Sequence, residues 1–138
     1  MINAQNPLMK AWYELLSGNI SVPVYRTSAP LDEKGNYVLI RFESENEDHI
    51  KLGIWQRMVV IIDIVTRFKN TVTDESANII DGEISGLYRS LTGNNLPEQS
   101  GIQISNVYRE SVRGLQEYDG AEYYYRLVAR YSQSIFQN

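Results

Sequence analysis

Residues 55–68 form the stretch of the chain in which branched and aromatic side chains are densest. Val, Ile, Thr, Trp and Phe favour the pleated surface of a β-strand. Successive side chains of a strand point to opposite faces, so the even-numbered positions give one almost continuous apolar face. The odd-numbered positions are apolar in the middle but carry three charges: Trp55, Arg57, Val59, Ile61, Asp63, Val65 and Arg67. We expect the even face to be domain core and the odd face to meet another subunit.

Two segments on the N-terminal side also have the pattern of strands. Residues 37–44 alternate between apolar and polar positions, and residues 21–26 are a short apolar segment whose proline predicts an edge or irregular strand. Residues 45–49 are polar and are expected to connect 37–44 to the long strand. If those two strands form a hairpin, Arg41 comes near Asp63 on the less apolar face, provided that the register is right.

The C-terminal third is predicted to be β-structure as well. Residues 102–108 form one expected strand and residues 122–135 another. Segment 109–120 between them has two interpretations, because either Gly114 or a turn at 118–120 would break the chain there. In the last strand, alternation predicts that the odd positions are buried: Tyr123, Tyr125, Leu127, Ala129 and Tyr131.

Two amphipathic helices complete the pattern. Apolar residues recur at helical spacing over about 7–17, where Asn6 is a plausible cap and Pro7 suits the first helical position. A second apolar stripe covers 73–91, with Thr73 as the expected cap.

The second predicted helix contains Gly82 and Gly86, four residues apart. Their spacing has two interpretations: close approach to a neighbouring backbone, or glycines that are merely tolerated. The order helix, short strand, strand, strand, helix and further strands predicts an α+β fold, with antiparallel β-sheet and two α-helices packed on one face.

Composition narrows the class of protein. The 138 residues are 43% hydrophobic and 22% charged, which fits a single globular domain spanning 1–138. No apolar run is long enough to cross a bilayer, and the N-terminus lacks the features of a secretory signal. The net charge of −4 and the scattered basic residues disfavour sequence-independent binding of nucleic acid.

The sequence offers little catalytic chemistry. It contains no cysteine, and its one histidine, His49, follows the acidic segment 43–48. A metal site needs three or four ligands from fixed positions, and a serine nucleophile would need a Gly-x-Ser-x-Gly context that is missing. No glycine-rich phosphate loop is present. We therefore predict a protein that is no enzyme and has no cofactor or metal.

Three stretches resemble the tail-completion, or tail-terminator, proteins of tailed bacteriophages. The first is the helical run 8–17 followed by 22–25 and by Ala29-Pro30. The second is 36–40, where such proteins commonly have Pro-Tyr before the strand and this chain has Asn36 in place of the proline. The third is the strand 57–68 leading into the helix 73–91. The resemblance covers about the first two-thirds of the chain.

The resemblance implies a structural virion protein with a tail-terminator-like fold. Similar proteins form a ring, usually a hexamer, that caps the finished tail tube and joins it to the head. Other tail, neck or portal proteins would then be the partners, and DNA would pass through the ring without specific binding. No membrane would be involved. The implied location is the tail or neck of the virion, after assembly in the cytoplasm of the bacterial host.

The charge pattern and the ring implied by the resemblance together predict two functional surfaces, a subunit interface and a lumen-facing loop. The expected subunit interface is the odd face with two arginines of the last strand: Arg57, Val59, Ile61, Asp63, Val65, Arg67, Arg126 and Arg130. An acidic loop is expected to line the lumen and to repel DNA: Glu43, Glu45, Glu47 and Asp48. Ile61→Asp should then disrupt assembly more than folding.

Three alternatives stay open at this stage. The chain could be another head–tail connector or neck-ring protein of the same class of virus. It could also be a monomeric α+β domain that binds a small ligand or a peptide in an apolar pocket. The third alternative is an enzyme that uses His49 and nearby carboxylates.

Overall fold

A computed structural model describes residues 4–50, 53–91, 96–97, 99 and 102–137, with the backbone only for 46–50 and 53–55. In these residues, two helices and five strands follow one another. They are α1 (Gln5–Leu16), β1 (Val24–Arg26), β2 (Tyr37–Ile50), β3 (Gly53–Phe68), α2 (Glu75–Arg89), β4 (Gln103–Tyr118) and β5 (Tyr123–Gln137).

The strands form one sheet in the order β1-β2-β3-β5-β4. β1 runs parallel to β2, and every other neighbouring pair is antiparallel. β1 is the edge strand that Pro23 predicts: it pairs only with Val38 to Ile40, and Thr27 with φ 70° follows it directly. The predicted α+β fold is confirmed.

β3 lies at the centre of the sheet, and its even-numbered residues form the core. Met58, Val60, Ile62 and Ile64 are fully buried and belong to one apolar cluster with residues of both helices. Tyr131 of β5 joins the cluster, because its ring lies 4.9 Å from that of Trp12 on α1 and 5.2 Å from that of Tyr88 on α2. Both helices therefore cover the even face, as the alternation predicts.

One buried polar contact fixes α1 on the sheet. Trp12 Nε1 donates a hydrogen bond to Gln133 Oε1 at 3.0 Å, and Gln133 Nε2 donates to the carbonyl oxygen of Met58 at 2.6 Å. All three groups are buried, so each would lose hydration without a partner. The amide of Gln133 thus sets the position of α1 along the strands.

The predicted helix starts are wrong in detail. α1 begins at Gln5 with Ala4 at the cap position, and Asn6 lies within the helix, where its Oδ1 accepts a hydrogen bond from Arg26 at 3.0 Å. α2 has Asp74 rather than Thr73 at the cap position, and neither cap residue makes a side-chain capping bond.

The close-approach interpretation of the helical glycines is also wrong. A Cβ built at Gly82 or Gly86 would meet nothing within 4 Å outside the helix's own neighbouring backbone. These two glycines are tolerated on an open surface of α2.

The predicted connection 45–49 is wrong, because those residues continue β2. The β2–β3 hairpin stays paired as far as Ile50 opposite Gly53. One register shift interrupts it, between Phe42 and Ser44. The hairpin is therefore longer at this end than alternation alone indicates.

Of the two possible breaks in 109–120, the turn is confirmed and the break at Gly114 is wrong. β4 continues through Gly114 to Tyr118, and Gly120 has φ 92° in the turn that follows. A Cβ at Gly114 would lie 2.5 Å from the hydroxyl of Tyr125. The Tyr125 side chain of β5 crosses over Gly114, so a larger residue at this position would have to displace the end of that side chain.

The predicted burial of β5 is confirmed for its central positions and wrong at its start. Leu127, Ala129 and Tyr131 are buried and Tyr125 is half-buried. Tyr123 is 38% exposed and stacks on Tyr118, with ring centroids 4.4 Å apart. Tyr123 differs because it pairs with the last residues of β3 and β4, where no core cluster residue lies beside it.

Candidate functional site

The sheet face away from the helices is the candidate site, and we call it the open face. It consists of the odd-numbered residues of β3 with their cross-strand neighbours on β2, β5 and β4, none of which belongs to the helix-covered core cluster. The register places all eight predicted interface residues on it: Arg57, Val59, Ile61, Asp63, Val65, Arg67, Arg126 and Arg130.

Asp63 is the centre of the open face, with only 1% of its surface exposed. Arg126 Nε donates to its Oδ1 at 3.2 Å and Arg126 Nη2 donates to Oδ2, while Arg41 Nη2 lies 3.4 Å from Oδ2. The expected proximity of Arg41 and Asp63 is confirmed, although it is diagonal, since Arg41 pairs directly with Ile61. The hydrogen bonds that Arg126 donates to Asp63 raise the pKa of Arg126, so this guanidinium stays charged.

A second group of charges ties four strands together. Arg130 on β5 reaches Glu43 on β2 at 2.6 Å and Glu110 on β4 at 3.7 Å. Arg57 on β3 donates to the same Glu110 at 2.8 Å, to Ser132 Oγ at 2.9 Å and to the hydroxyl of Tyr108. Exposed pairs contribute little individually, but this network links the arginine side chains to residues of all four strands.

Arg67 differs from the other arginines of the open face. Its guanidinium lies 5.8 Å from the ring centroid of Tyr37 and 5.5 Å from that of Tyr124, and its backbone N–H donates to Asn36 Oδ1 at 3.0 Å. Within the described part of the chain it forms no salt bridge with a carboxylate. Two aromatic rings thus hold a cation whose charge is not neutralised by direct contact.

The ring of Tyr124 is itself fixed by the turn after β4. Its hydroxyl donates to Asp119 Oδ2 at 2.7 Å, while Asp119 Oδ1 accepts from the backbone N–H groups of Glu122 at 2.8 Å and Ala121 at 2.9 Å. These hydrogen bonds, with that from Glu122 the largest contribution, lower the pKa of Asp119 to about 2. The bond to Asp119 raises the pKa of Tyr124.

Apolar residues of the open face are buried although no described helix covers them. Val59, Ile61 and Val65 are 7%, 8% and 4% exposed. Ile61 pairs with Arg41 on one side and with Arg130 on the other. Because arginine covers apolar surface with its aliphatic stem while its head stays in water, the open face presents charge rather than an apolar patch.

The predicted acidic loop is wrong as a loop, since all four of its residues lie in β2. The side chain of Glu43 reaches Arg130 on the open face. Beyond the register shift, Glu45 pairs with Met58 and is exposed, and its carboxylate accepts from Gln56 Nε2 at 3.2 Å. The side chains of Glu47, Asp48, His49 and Trp55 lie outside the described residues.

Sequence reasoning missed the β4 side of the network and the aromatic pair around Arg67. The missed residues are Tyr37, Tyr108, Glu110, Glu117 and Tyr124. Alternation could have identified Glu117, because it pairs with Tyr124 of β5 and so lies on the same face. The sequence alone does not assign segment 109–120 to a strand, so this alternation was not used. Glu110 had no such signal, because the register shifts between Arg109 and Ser111.

Other kinds of site find little support in the described residues. Among them, no group of three or more His, Cys, Asp or Glu side chains could hold a metal ion. An open surface pocket of about 420 Å³ lies between Tyr13 of α1, β1 and the loop 28–30, and Arg26 is the one charged residue among its described lining residues. In the described part of the chain, no helix is long and apolar enough to cross a membrane.

No family model and no curated protein matches the chain. Among solved structures, the chain is similar to one described as "Virion of native gene transfer agent (GTA) particle", with a TM-score of 0.55 and 17% sequence identity. The match covers 89% of this chain and 84% of that chain. At this level of identity the similarity shows a shared fold.

Proposed function

We propose that the chain is a structural protein of a phage-like virion that forms a ring at the tail or neck, completes the tail and joins it to the head, without catalysis. The observation that carries this proposal is the fold shared with a chain of a gene transfer agent virion over most of both chains. The sequence resemblance to tail-completion proteins points independently to the same class of particle. A hexamer is the ring that this resemblance favours.

The open face is proposed as the contact with the neighbouring subunit. A ring needs a heterologous contact, in which two different surfaces of the same chain meet. Interfaces of this kind are rich in arginine and tyrosine, and the open face carries Arg41, Arg57, Arg67, Arg126 and Arg130. The contact would be polar, because the apolar residues of this face already lie beneath arginine side chains.

The acidic end of β2 is proposed to face the lumen. Residues 43–48 contain four carboxylates and no basic residue, so this surface would repel the phosphates of DNA that passes through the ring. A ring structure in which this end of β2 lies on the outer rim would contradict the proposal. The connector and neck-ring alternatives use the same surfaces and differ in the position of the ring within the particle.

Deleting the gene in the host that produces the particle tests the function directly. We expect filled heads and tails that are not joined, and joining should return when the chain is supplied from a plasmid. Tails of irregular length would assign the tail-completion role, whereas unjoined tails of normal length would assign a connector or neck ring. Normal, joined particles in the deletion strain would contradict the proposal.

Self-assembly of the purified chain provides the second test. Sedimentation velocity and native mass spectrometry should find a closed oligomer between micromolar and millimolar concentration. A chain that stays monomeric throughout this range, and binds a small ligand or peptide instead, would favour the monomeric binding domain.

A further inference from the structure

We propose that the outer edge of β4 is a second contact between subunits, at which two copies of this chain pair residues 111–118 antiparallel about a two-fold axis. The pairing joins the two sheets edge to edge, with Leu115 opposite Leu115 of the second copy. This inference goes beyond the proposed ring, because a two-fold contact by itself does not close a ring. It also uses none of the residues assigned to the ring interface. We call residues 111–118 the β4 edge.

The β4 edge is long and unprotected. In the described sheet, β4 pairs only with β5, and both of its register shifts lie before Ser111. The β4 edge is therefore regular, it contains no proline or lysine, and every residue of it except Leu115 is exposed. An open edge strand is a template for pairing with another chain, and natural proteins usually shorten, cover or interrupt it. The β4 edge is thus suited to receive a further strand.

The even-numbered residues supply the free backbone groups of this edge. At the turn between β4 and β5, the N–H of Asp119 donates to the carbonyl oxygen of Glu122 at 3.2 Å, so these two residues form a hydrogen-bonded pair. Hydrogen-bonded and non-hydrogen-bonded pairs alternate along an antiparallel ladder, and the register is uninterrupted from Tyr118 back to Ser111. The residues that direct both N–H and C=O away from β5 are therefore Val112, Gly114, Gln116 and Tyr118.

One antiparallel register brings these backbone groups opposite each other. It pairs Val112 with Tyr118 of the second copy, and Gly114 with Gln116 of the second copy. Each such pair exchanges two N–H···O bonds. Leu115 then lies on the two-fold axis, opposite its own copy in a non-hydrogen-bonded pair.

The same register pairs opposite charges on the open face. Arg113 lies opposite Glu117 of the second copy, and the two-fold axis forms this pair twice. Within the described residues, Arg113 forms no salt bridge. Glu117 Oε1 is 2.8 Å from Arg126, but 48% of the Glu117 side chain is exposed, so its carboxylate can reach a second guanidinium. Opposite charges directly across two strands stabilise the pairing.

The other face of the β4 edge gains apolar contacts. Val112 and Tyr118 pair with odd-numbered residues of β5, so they lie on the side of the sheet that carries the helices. They are 39% and 59% exposed in the single subunit. In the proposed register each Val112 lies beside Tyr118 of the second copy, and pairs of aromatic and β-branched residues favour cross-strand packing.

Other pairings fit these residues less well. A shift by one residue sets outward-facing backbone groups opposite groups that are already bonded to β5. A shift by two residues places Leu115 opposite either Arg113 or Glu117, so that a charge meets an apolar side chain. The opposite edge of the sheet, β1, has only three residues, too few to pair with the whole β4 edge. The self-complementary pattern about Leu115 therefore selects a second β4 edge as the occupant.

Cysteine substitutions test the register, because the chain has no cysteine of its own. A non-hydrogen-bonded antiparallel pair places its Cα atoms about 4.5 Å apart, within the range of a disulfide. We expect Leu115→Cys to form a covalent dimer under mild oxidation. Arg113→Cys is the matched control on the same face, since position 113 would lie roughly 14 Å from its copy.

A mixture of Arg113→Cys and Glu117→Cys should link the two variants to each other, because these positions are opposite in the proposed register. Linking of Leu115→Cys no faster than that of Arg113→Cys would overturn the proposal.

Charge exchange tests the paired side chains by sedimentation equilibrium. We expect Arg113→Glu to weaken dimerisation about tenfold or more, because it sets two carboxylates together at both pairs. The double variant Arg113→Glu with Glu117→Arg should recover the affinity, and Arg113→Glu mixed with Glu117→Arg should form mixed dimers. Lys69→Glu, at an exposed position outside β4, changes the net charge equally and should have no effect. A double variant as weak as Arg113→Glu would contradict the pairing.

A backbone variant separates the two-fold contact from the ring. Gln116→Pro removes an outward N–H that β5 does not use, so the subunit should fold with unchanged circular dichroism, while the two-fold contact is lost. If Gln116→Pro associates like the wild type, or if the wild type stays monomeric up to millimolar concentration, the two-fold contact is wrong. A wild type that forms dimers but no larger closed oligomer would support the two-fold contact and count against the ring.

Discussion

Asp63 and Arg126 meet across neighbouring strands at the centre of the open face, where Arg126 Nε donates to Asp63 Oδ1 at 3.2 Å. Asp63 is almost fully buried, while a quarter of the Arg126 side chain is exposed. The carboxylate thus lies under the arginine layer on the face that no described helix covers.

Removing the carboxylate of Asp63 should destabilise the isolated subunit. In Asp63→Ala, Arg126 keeps only Glu117, and Arg41 loses its described counter-ion. Breaking a buried ion pair from one side costs about 3 kcal/mol of unfolding free energy, which urea denaturation followed by circular dichroism would measure. Replacing the pair together, as Asp63→Leu with Arg126→Met, should cost less than the single change. A double variant as unstable as Asp63→Ala would show that the pair itself stabilises the fold.

Adjacent positions on β3 test the two-face interpretation of that strand. Ile62 is fully buried in the helix-covered core, so Ile62→Asp should cost about 4 kcal/mol or more and unfold the chain. Ile61 lies between Arg41 and Arg130, so an Asp at this position gains two cationic neighbours and the subunit should stay folded. Circular dichroism and sedimentation velocity would separate folding from assembly.

The expected result is that Ile61→Asp disturbs the oligomer more than the fold. The added carboxylate would compete with Glu43 for Arg130 and change the charge pattern of the open face. If the Ile61→Asp subunit unfolds like Ile62→Asp, the odd face is core and the interface proposal is wrong. If it folds and assembles normally, the neighbouring subunit binds elsewhere.

Periodicity in the sequence predicted most of the fold, for a physical reason. Apolar residues recur at every second position on the core face of β3 and at every third or fourth position along α2. This spacing alone predicts that Met58, Ile62 and Ile84 are buried, as they are. The order of the elements added the expectation of an α+β fold, and length and composition that of a single globular domain. These features depend on local pattern alone.

The details that were missed depend on contacts distant in sequence. Segment 45–49 reads as a polar loop because no apolar face marks it, yet backbone pairing with β3 extends the strand. Burial of Val59, Ile61 and Val65 by arginine stems is likewise invisible in a hydropathy pattern, which counts arginine as polar throughout. The aromatic pair around Arg67 consists of Tyr37 and Tyr124, which lie on strands far apart in sequence.

Gly114 provides a test of packing on β4. A methyl group at this position would meet the Tyr125 hydroxyl at 2.5 Å and its Cζ at 3.2 Å. Gly114→Ala should therefore displace the ring and lower the unfolding free energy by about 1 to 2 kcal/mol. Tyr125→Phe in the same background removes the atom that the methyl group meets first, and should recover part of the loss. A Gly114→Ala variant as stable as the wild type would show that the ring moves aside freely.

The turn residue Asp119 should make stability depend on pH between about 4 and 2. Its pKa is about 2 in the folded chain, against an ordinary value of 3.8, so the unfolded chain binds more protons in this range. The contribution of Asp119 is thus complete above pH 4 and is lost as pH falls through its folded pKa. The difference in unfolding free energy between the wild type and Asp119→Ala should shrink from pH 5 to pH 2.

Tyr124→Phe removes one of the three hydrogen bonds to this carboxylate, so NMR titration should find the pKa of Asp119 higher in that variant. An unchanged pKa would mean that the backbone N–H groups of Ala121 and Glu122 alone stabilise the charge of Asp119, and that this turn does not fix the Tyr124 ring beside Arg67.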